Sequence, residues 1–228
     1  MAANRCLLLL GGVLLTLGSG CRSSRTCVET PFSGLKAELI QANTNGGRLR
    51  LLIVHGMSDH TQGYSSNFVD TIGRKLNLGN PARTVETFTN ANGLLTGYLT
   101  RIDFTNRAKN LRAYELTWSP VTHSEKTNRF AFDSRLDRKR ASLNRRMKSE
   151  LLNDGFGDAV LYLNEKFRAK IQAPVTNAIF SILDDDFLPA DQFIIITHSL
   201  GSKLTFDSLN LVAEQLARFQ NLSAQHKS

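Results

Sequence analysis

Two short apolar runs punctuate the chain. The stretch "GGRLRLLIVHG" follows a turn at Asn43 to Gly47 and carries Leu, Ile and Val up to a stop at Gly56, and "QFIIIT" (Gln192 to Thr197) repeats the pattern far downstream. Runs this short and this apolar read as strands buried on both faces, the usual condition in a parallel sheet. Residues Asn110 to Pro120 alternate instead, with Leu111, Ala113, Glu115 and Thr117 on one face and Arg112, Tyr114, Leu116 and Trp118 on the other, until Pro120 stops the strand. A further strand is expected at Tyr98 to Phe104, inside a region otherwise rich in Gly, Asn and Thr.

Between these strands the period changes. In "SSNFVDTIGRKL" the residues Phe68, Ile72 and Leu76 recur every fourth position, which is one face of a helix. Helices are also expected over Asp133 to Leu152, over Asp158 to Ile182 before "DDDFLPAD" breaks the pattern at Pro189, and over Leu200 to Phe219. Strands separated by helices predict an α/β fold, a mostly parallel sheet with helices on both faces, whose ligands sit at the carboxyl ends of the strands. Both the His55, Gly56 pair and Ser199 fall at such ends.

Composition narrows the class. With 228 residues, 41% hydrophobic and 21% charged, the chain has ordinary globular content and length for one domain. A formal charge of +8 favours anionic surfaces without choosing among them. The first residues choose: one Arg, an apolar run from Cys6 to Leu17 too short to span a membrane, then small residues, which is the layout of a secretory signal over residues 1–20. "LGSGC" (Leu17 to Cys21) resembles the lipobox of bacterial lipoproteins, which implies lipidation of Cys21; the family's aliphatic residue three before the Cys is here Gly18. The other reading is an ordinary signal cut near Gly20, leaving Cys21 and Cys27 free to pair. Residues 21–34 are polar and suit a tether, and 35–228 form the expected domain. Three cysteines in this layout offer no CxxC metal site.

The sequence "FIIITHSLGS" puts Ser199 directly after a strand and before a helix. Thr197, His198, Ser199, Leu200 and Gly201 resemble the G-x-S-x-G nucleophile elbow of α/β-hydrolases, with Thr197 in place of the first Gly, a change expected to crowd the elbow. "LLIVHGMSDHTQGY" resembles the strand and HG loop that complete the oxyanion hole in that superfamily. The resemblance spans roughly Leu35 to Phe219. It implies that Ser199 is the nucleophile of an esterase or lipase-like enzyme and that the amides of Met57 and Leu200 face the oxyanion. By itself Ser199 also reads as a helix N-cap. His198 is expected to pack at the elbow and His55 to shape its loop. His60 and Asp59 read equally as substrate-facing or solvated, and His123 is the best upstream base or a surface histidine.

The superfamily places its acid and histidine after the nucleophile. Here Asp207 and Glu214 lie inside the elbow helix and His226 in a polar tail. The expectations, in order, are a hydrolase fold incomplete on its C-terminal side, a degenerate relative, or a base borrowed from upstream. A sheet ending after the elbow helix would leave a hydrophobic edge. A helical insertion is expected over about 124–190. Within it "SRLDRKRASLNRRMK" carries seven Lys or Arg, with Leu136, Leu143, Met147 and Leu151 at helical spacing. It reads as a solvated face or as a cationic surface resting on anionic lipid.

Together these readings predict a membrane-anchored serine hydrolase of the cell envelope, or a secreted one, acting on a small-molecule or lipid ester, with no metal or organic cofactor and no nucleic-acid partner. The competing class is a non-catalytic envelope lipoprotein that keeps the scaffold for binding.

Overall fold

The computed structural model describes residues 32–106, 109–129 and 156–225. Cys21, the signal and most of the tether, the basic segment 134–148 and His226 lie outside them. In chain order the elements are α1 (Leu35–Thr44), β1 (Leu49–Val54), α2 (Ser66–Lys75), β2 (Ala82–Thr89), β3 (Leu95–Asn106), β4 (Lys109–Thr117), α3 (Pro120–Arg129), α4 (Gly157–Leu163), α5 (Glu165–Asp184), β5 (Gln192–Thr197) and α6 (Leu200–Gln225).

The strands form one five-stranded sheet in the order β2-β3-β4-β1-β5. Strand β1 pairs in parallel with β4 and β5, so that Val54 lies beside both Leu116 and Thr197. Strands β2, β3 and β4 are antiparallel neighbours. The sheet is therefore α/β and mixed, which corrects the expectation of a mostly parallel one. The cause is local: Asn90 Oδ1 accepts the N–H groups of Asn92 and Leu94, and Gly93 turns with φ 73°. A turn this tight can only join antiparallel strands.

Strand β1 lies inside the sheet between β4 and β5, and all six of its residues are buried. Its alternate side chains feed two cores. Leu49, Leu51 and Ile53 meet Leu39 of α1 and Val69 and Ile72 of α2 on one face. Leu52 and Val54 meet Trp118 and the residues of α4, α5 and α6 on the other. On α2 the buried face runs through Val69, Ile72 and Gly73, while Phe68 is 46% exposed, a shift from the expected stripe. The helix expected over Asp158 to Ile182 is two helices, because Asn164 turns extended and its side chain caps α5 by accepting from Lys166 N–H at 3.0 Å. Strand β5 ends the sheet, and its six residues are half-buried.

Beneath the apolar layer lies a charged seam. Arg50 is fully buried and donates to Asp191 Oδ2 (2.6 Å), Tyr114 Oη (2.8 Å) and the Asp186 carbonyl (2.7 Å). Asp191 also accepts the N–H groups of Arg48 and Leu188, so strand β1 and the loop before β5 are held by one fully partnered ion pair.

Candidate active site

Ser199 is exposed and sits at φ 51° in the turn between β5 and α6. A left-handed φ is uncommon for a non-glycine residue and is tolerated where the surroundings enforce it. Here His198 N–H donates to Val54 O (3.3 Å), Gly201 N–H to His198 O (2.9 Å) and Ser202 N–H to Ser199 O (3.0 Å). Those backbone bonds occupy the N–H groups that an N-cap serine would bind, and the Ser199 hydroxyl has no hydrogen-bond partner among the described residues. The side chain is displayed rather than used as a cap.

Close approach of β1 to this turn depends on two glycines. A Cβ on Gly201 would lie 2.2 Å from the His55 carbonyl oxygen, and one on Gly56 would lie 2.8 Å from His198 Nδ1 and 3.0 Å from Ser199 Cβ. Thr197 does not crowd the elbow: it lies at the half-exposed sheet edge with its hydroxyl 2.8 Å from Ser202 Oγ. His198 is exposed, with its ring laid against Gly56 rather than packed in the interior.

The loop after β1 is held from several sides. His55 is buried and stacks on Trp118, with ring centroids 4.8 Å apart and planes 9° from parallel. Trp118 N–H donates to His55 Nε2 (3.1 Å), which leaves the proton on Nδ1, 2.8 Å from Gly56 O. Burial lowers the His55 pKa to about 3. His55 is thus neutral with its one lone pair engaged, so it shapes the loop and has nothing to offer as a base.

Further along, Ser58 at φ 84° donates its N–H to Asp158 Oδ2 (2.8 Å), and the His60 backbone is clasped at both N–H and C=O by Ser119 Oγ (3.0 Å each). Glu115, fully buried, accepts from Gly63 N–H (2.5 Å), Ser65 N–H (2.7 Å) and Ser65 Oγ (2.6 Å) at the start of α2, where a carboxylate also complements the helix dipole. The amides of Met57 and Leu200 donate to no acceptor among the described residues.

One titratable cluster stands at the same end of the sheet. His123, in the first turn of α3, lies with Nδ1 2.7 Å from Asp59 Oδ2, and its ring is largely exposed. Lys126, one turn on and almost wholly buried, bridges Asp59 (2.5 Å) and the fully buried Asp158 (3.0 Å). Burial pushes the Asp59 carboxyl up, but hydrogen bonds from Lys126 and His123 outweigh it and hold the group below the usual carboxylate range. His60 packs beside His55 and Tyr64 at ring distances of 4.3 and 5.3 Å. Asp207 is engaged elsewhere: Lys203 and the Tyr162 hydroxyl bind its carboxylate and tie α6 to α4.

Sequence reasoning did not single out Lys126 or Asp158, and it read Glu115 and Trp118 as strand alternation only. A carboxylate at an otherwise apolar strand position was the available signal for Glu115.

Neither a protein-family model, a curated protein nor a solved structure matches the chain. Among the described residues no helix is long and apolar enough to cross a membrane, and no group of three or more His, Cys, Asp or Glu could hold a metal ion.

Proposed function

We propose that the chain is a serine hydrolase of the α/β-hydrolase type that cleaves an ester or related acyl bond with Ser199 as nucleophile. The observation that carries this reading is the exposed, left-handed Ser199 at a strand-to-helix turn built on Gly56 and Gly201. The amides of Met57 and Leu200 serve as oxyanion donors, each worth about 3–4 kcal/mol of transition-state stabilisation.

His123 is the base in this reading. Its Nδ1 is held by Asp59 and its Nε2 meets no donor among the described residues, whereas the Trp118 N–H occupies the Nε2 lone pair of His55. The Ser199 hydroxyl proton passes to His123 Nε2 as Oγ bonds the carbonyl carbon. Collapse of the tetrahedral adduct expels the alcohol, which takes that proton. Water then attacks the acyl-enzyme by the same route, releasing the acid and restoring Ser199. A lipidated Cys21 would hold the enzyme at the envelope, beside small-molecule or lipid esters.

The test is covalent labelling by a fluorophosphonate probe. The wild-type chain should label and Ser199→Ala should not; His123→Ala should slow labelling by about a hundredfold or more. Absence of labelling in the folded wild-type chain overturns the enzymatic reading in favour of a binding protein on the same scaffold. Undiminished labelling of His123→Ala places the base elsewhere.

A further inference from the structure

At the same end of the sheet as Ser199, under the β2–β3 turn, lies a cavity of about 410 Å³ whose apolar wall is formed by Leu94, Leu95, Val121, Leu161, Phe167 and Ile171. Its position follows from register. Strand β3 runs antiparallel to β4, with Tyr98 beside Thr117, so the β2–β3 turn lies at the end of the sheet where β4, β1 and β5 finish. Two helices that line the cavity, α3 and α4, also hold the loop that carries Met57. Helix α3 gives Val121 and Thr122 to the cavity and His123 and Lys126 to Asp59. Helix α4 gives Leu161 to the cavity and Asp158 to Ser58. Leu94 at the turn is 63% exposed and Leu95 37%, apolar surface that a buried ligand chain would cover.

A second, larger cavity of about 620 Å³ between β2, β3 and α5 is a poorer candidate, because its charges are already matched: Arg101 with Asp185 and Glu86 with the Ser181 hydroxyl.

We infer that the smaller cavity receives the apolar chain of the ester cleaved at Ser199, which makes the substrate a long-chain or lipid ester rather than a short one. The inference rests on the serine-hydrolase reading for its chemistry and on the cavity alone for its binding. Each methylene buried there should raise kcat/KM about fourfold until the cavity is full.

The experiment compares p-nitrophenyl acetate, butyrate, octanoate and palmitate. Ala173→Trp, which narrows the cavity from an exposed helix position, and Leu94→Asp, which charges its rim, should each lower the octanoate-to-acetate ratio of kcat/KM by about tenfold or more, with acetate itself changed less than about twofold. A flat chain-length profile, or a ratio that neither variant moves, overturns the inference while leaving hydrolysis at Ser199 intact. In parallel, Ser199→Ala should bind the fluorescent fatty acid cis-parinarate, and Ser199→Ala/Ala173→Trp should not. Binding that meets this pattern in a chain that labels with no probe and cleaves no ester keeps the cavity and removes the hydrolase. Failure of Ser199→Ala to bind parinarate overturns the cavity assignment.

Discussion

Gly201→Ala tests whether the elbow depends on contact between two backbones. The new methyl would stand 2.2 Å from the His55 carbonyl oxygen and 3.0 Å from that of Val54. Neither atom belongs to a side chain that can rotate away. Restoring a contact of about 3.5 Å requires α6 and β1 to part by roughly 1 Å. Overpacking of this kind costs about 1–3 kcal/mol, and for a domain of this size each kcal/mol lowers Tm by roughly 2–4 °C. The same displacement moves Ser199 against the Met57 and Leu200 amides, a misplacement of the order that costs about a hundredfold in rate. Thermal unfolding by circular dichroism and the rate of fluorophosphonate labelling read the two effects separately. A variant that melts with wild type and labels at the wild-type rate would refute the argument, because it would mean that the strand and helix are free to separate.

Arg50→Met leaves Asp191 buried without its ion-pair partner, and should cost about 3–5 kcal/mol by chemical denaturation; Arg83→Met, at the exposed pair with Asp70, should change stability by less than about 1 kcal/mol. His55 predicts an acid-side loss of stability. Its folded pKa is about 3 and its unfolded value about 6.5, so below about 6.5 the unfolded chain binds a proton that the folded chain refuses. The His55 contribution is whole above that pH and declines as pH falls towards 3, by at most about 1.4 kcal/mol per pH unit. Urea unfolding of wild type and His55→Gln at pH 7, 6 and 5 checks it, and parallel stability profiles would count against a neutral, buried His55.

Burial on both faces writes itself into sequence as continuous apolar residues, which is why β1 was legible; β5 carries the same apolar run and was legible as a strand, although it lies at the sheet edge and is only half-buried. The turn holding Ser199 was legible too, since a strand run, a serine and a small residue at a helix start leave few alternatives. Strand β2 was not, because seven of its eight residues are exposed and its ladder is made of backbone, not of an apolar pattern. Pro120 read as the end of β4, and it is also the first residue of α3, where its missing N–H costs nothing. With β2 unseen, the antiparallel half of the sheet was unseen as well.

The sequence alone determined the order of the strands and helices that carry the candidate nucleophile and its loop. The tertiary structure decided how they are used. The left-handed φ of Ser199, the neutral tautomer of His55 and the meeting of Asp59, His123, Lys126 and Asp158 each arise from groups brought together by folding. Asp158 reaches Ser58 across 100 positions of chain, and Glu115 reaches Ser65 across 50. Periodicity records which side of an element is buried, and it holds no term for which charged side chain will meet another across the core.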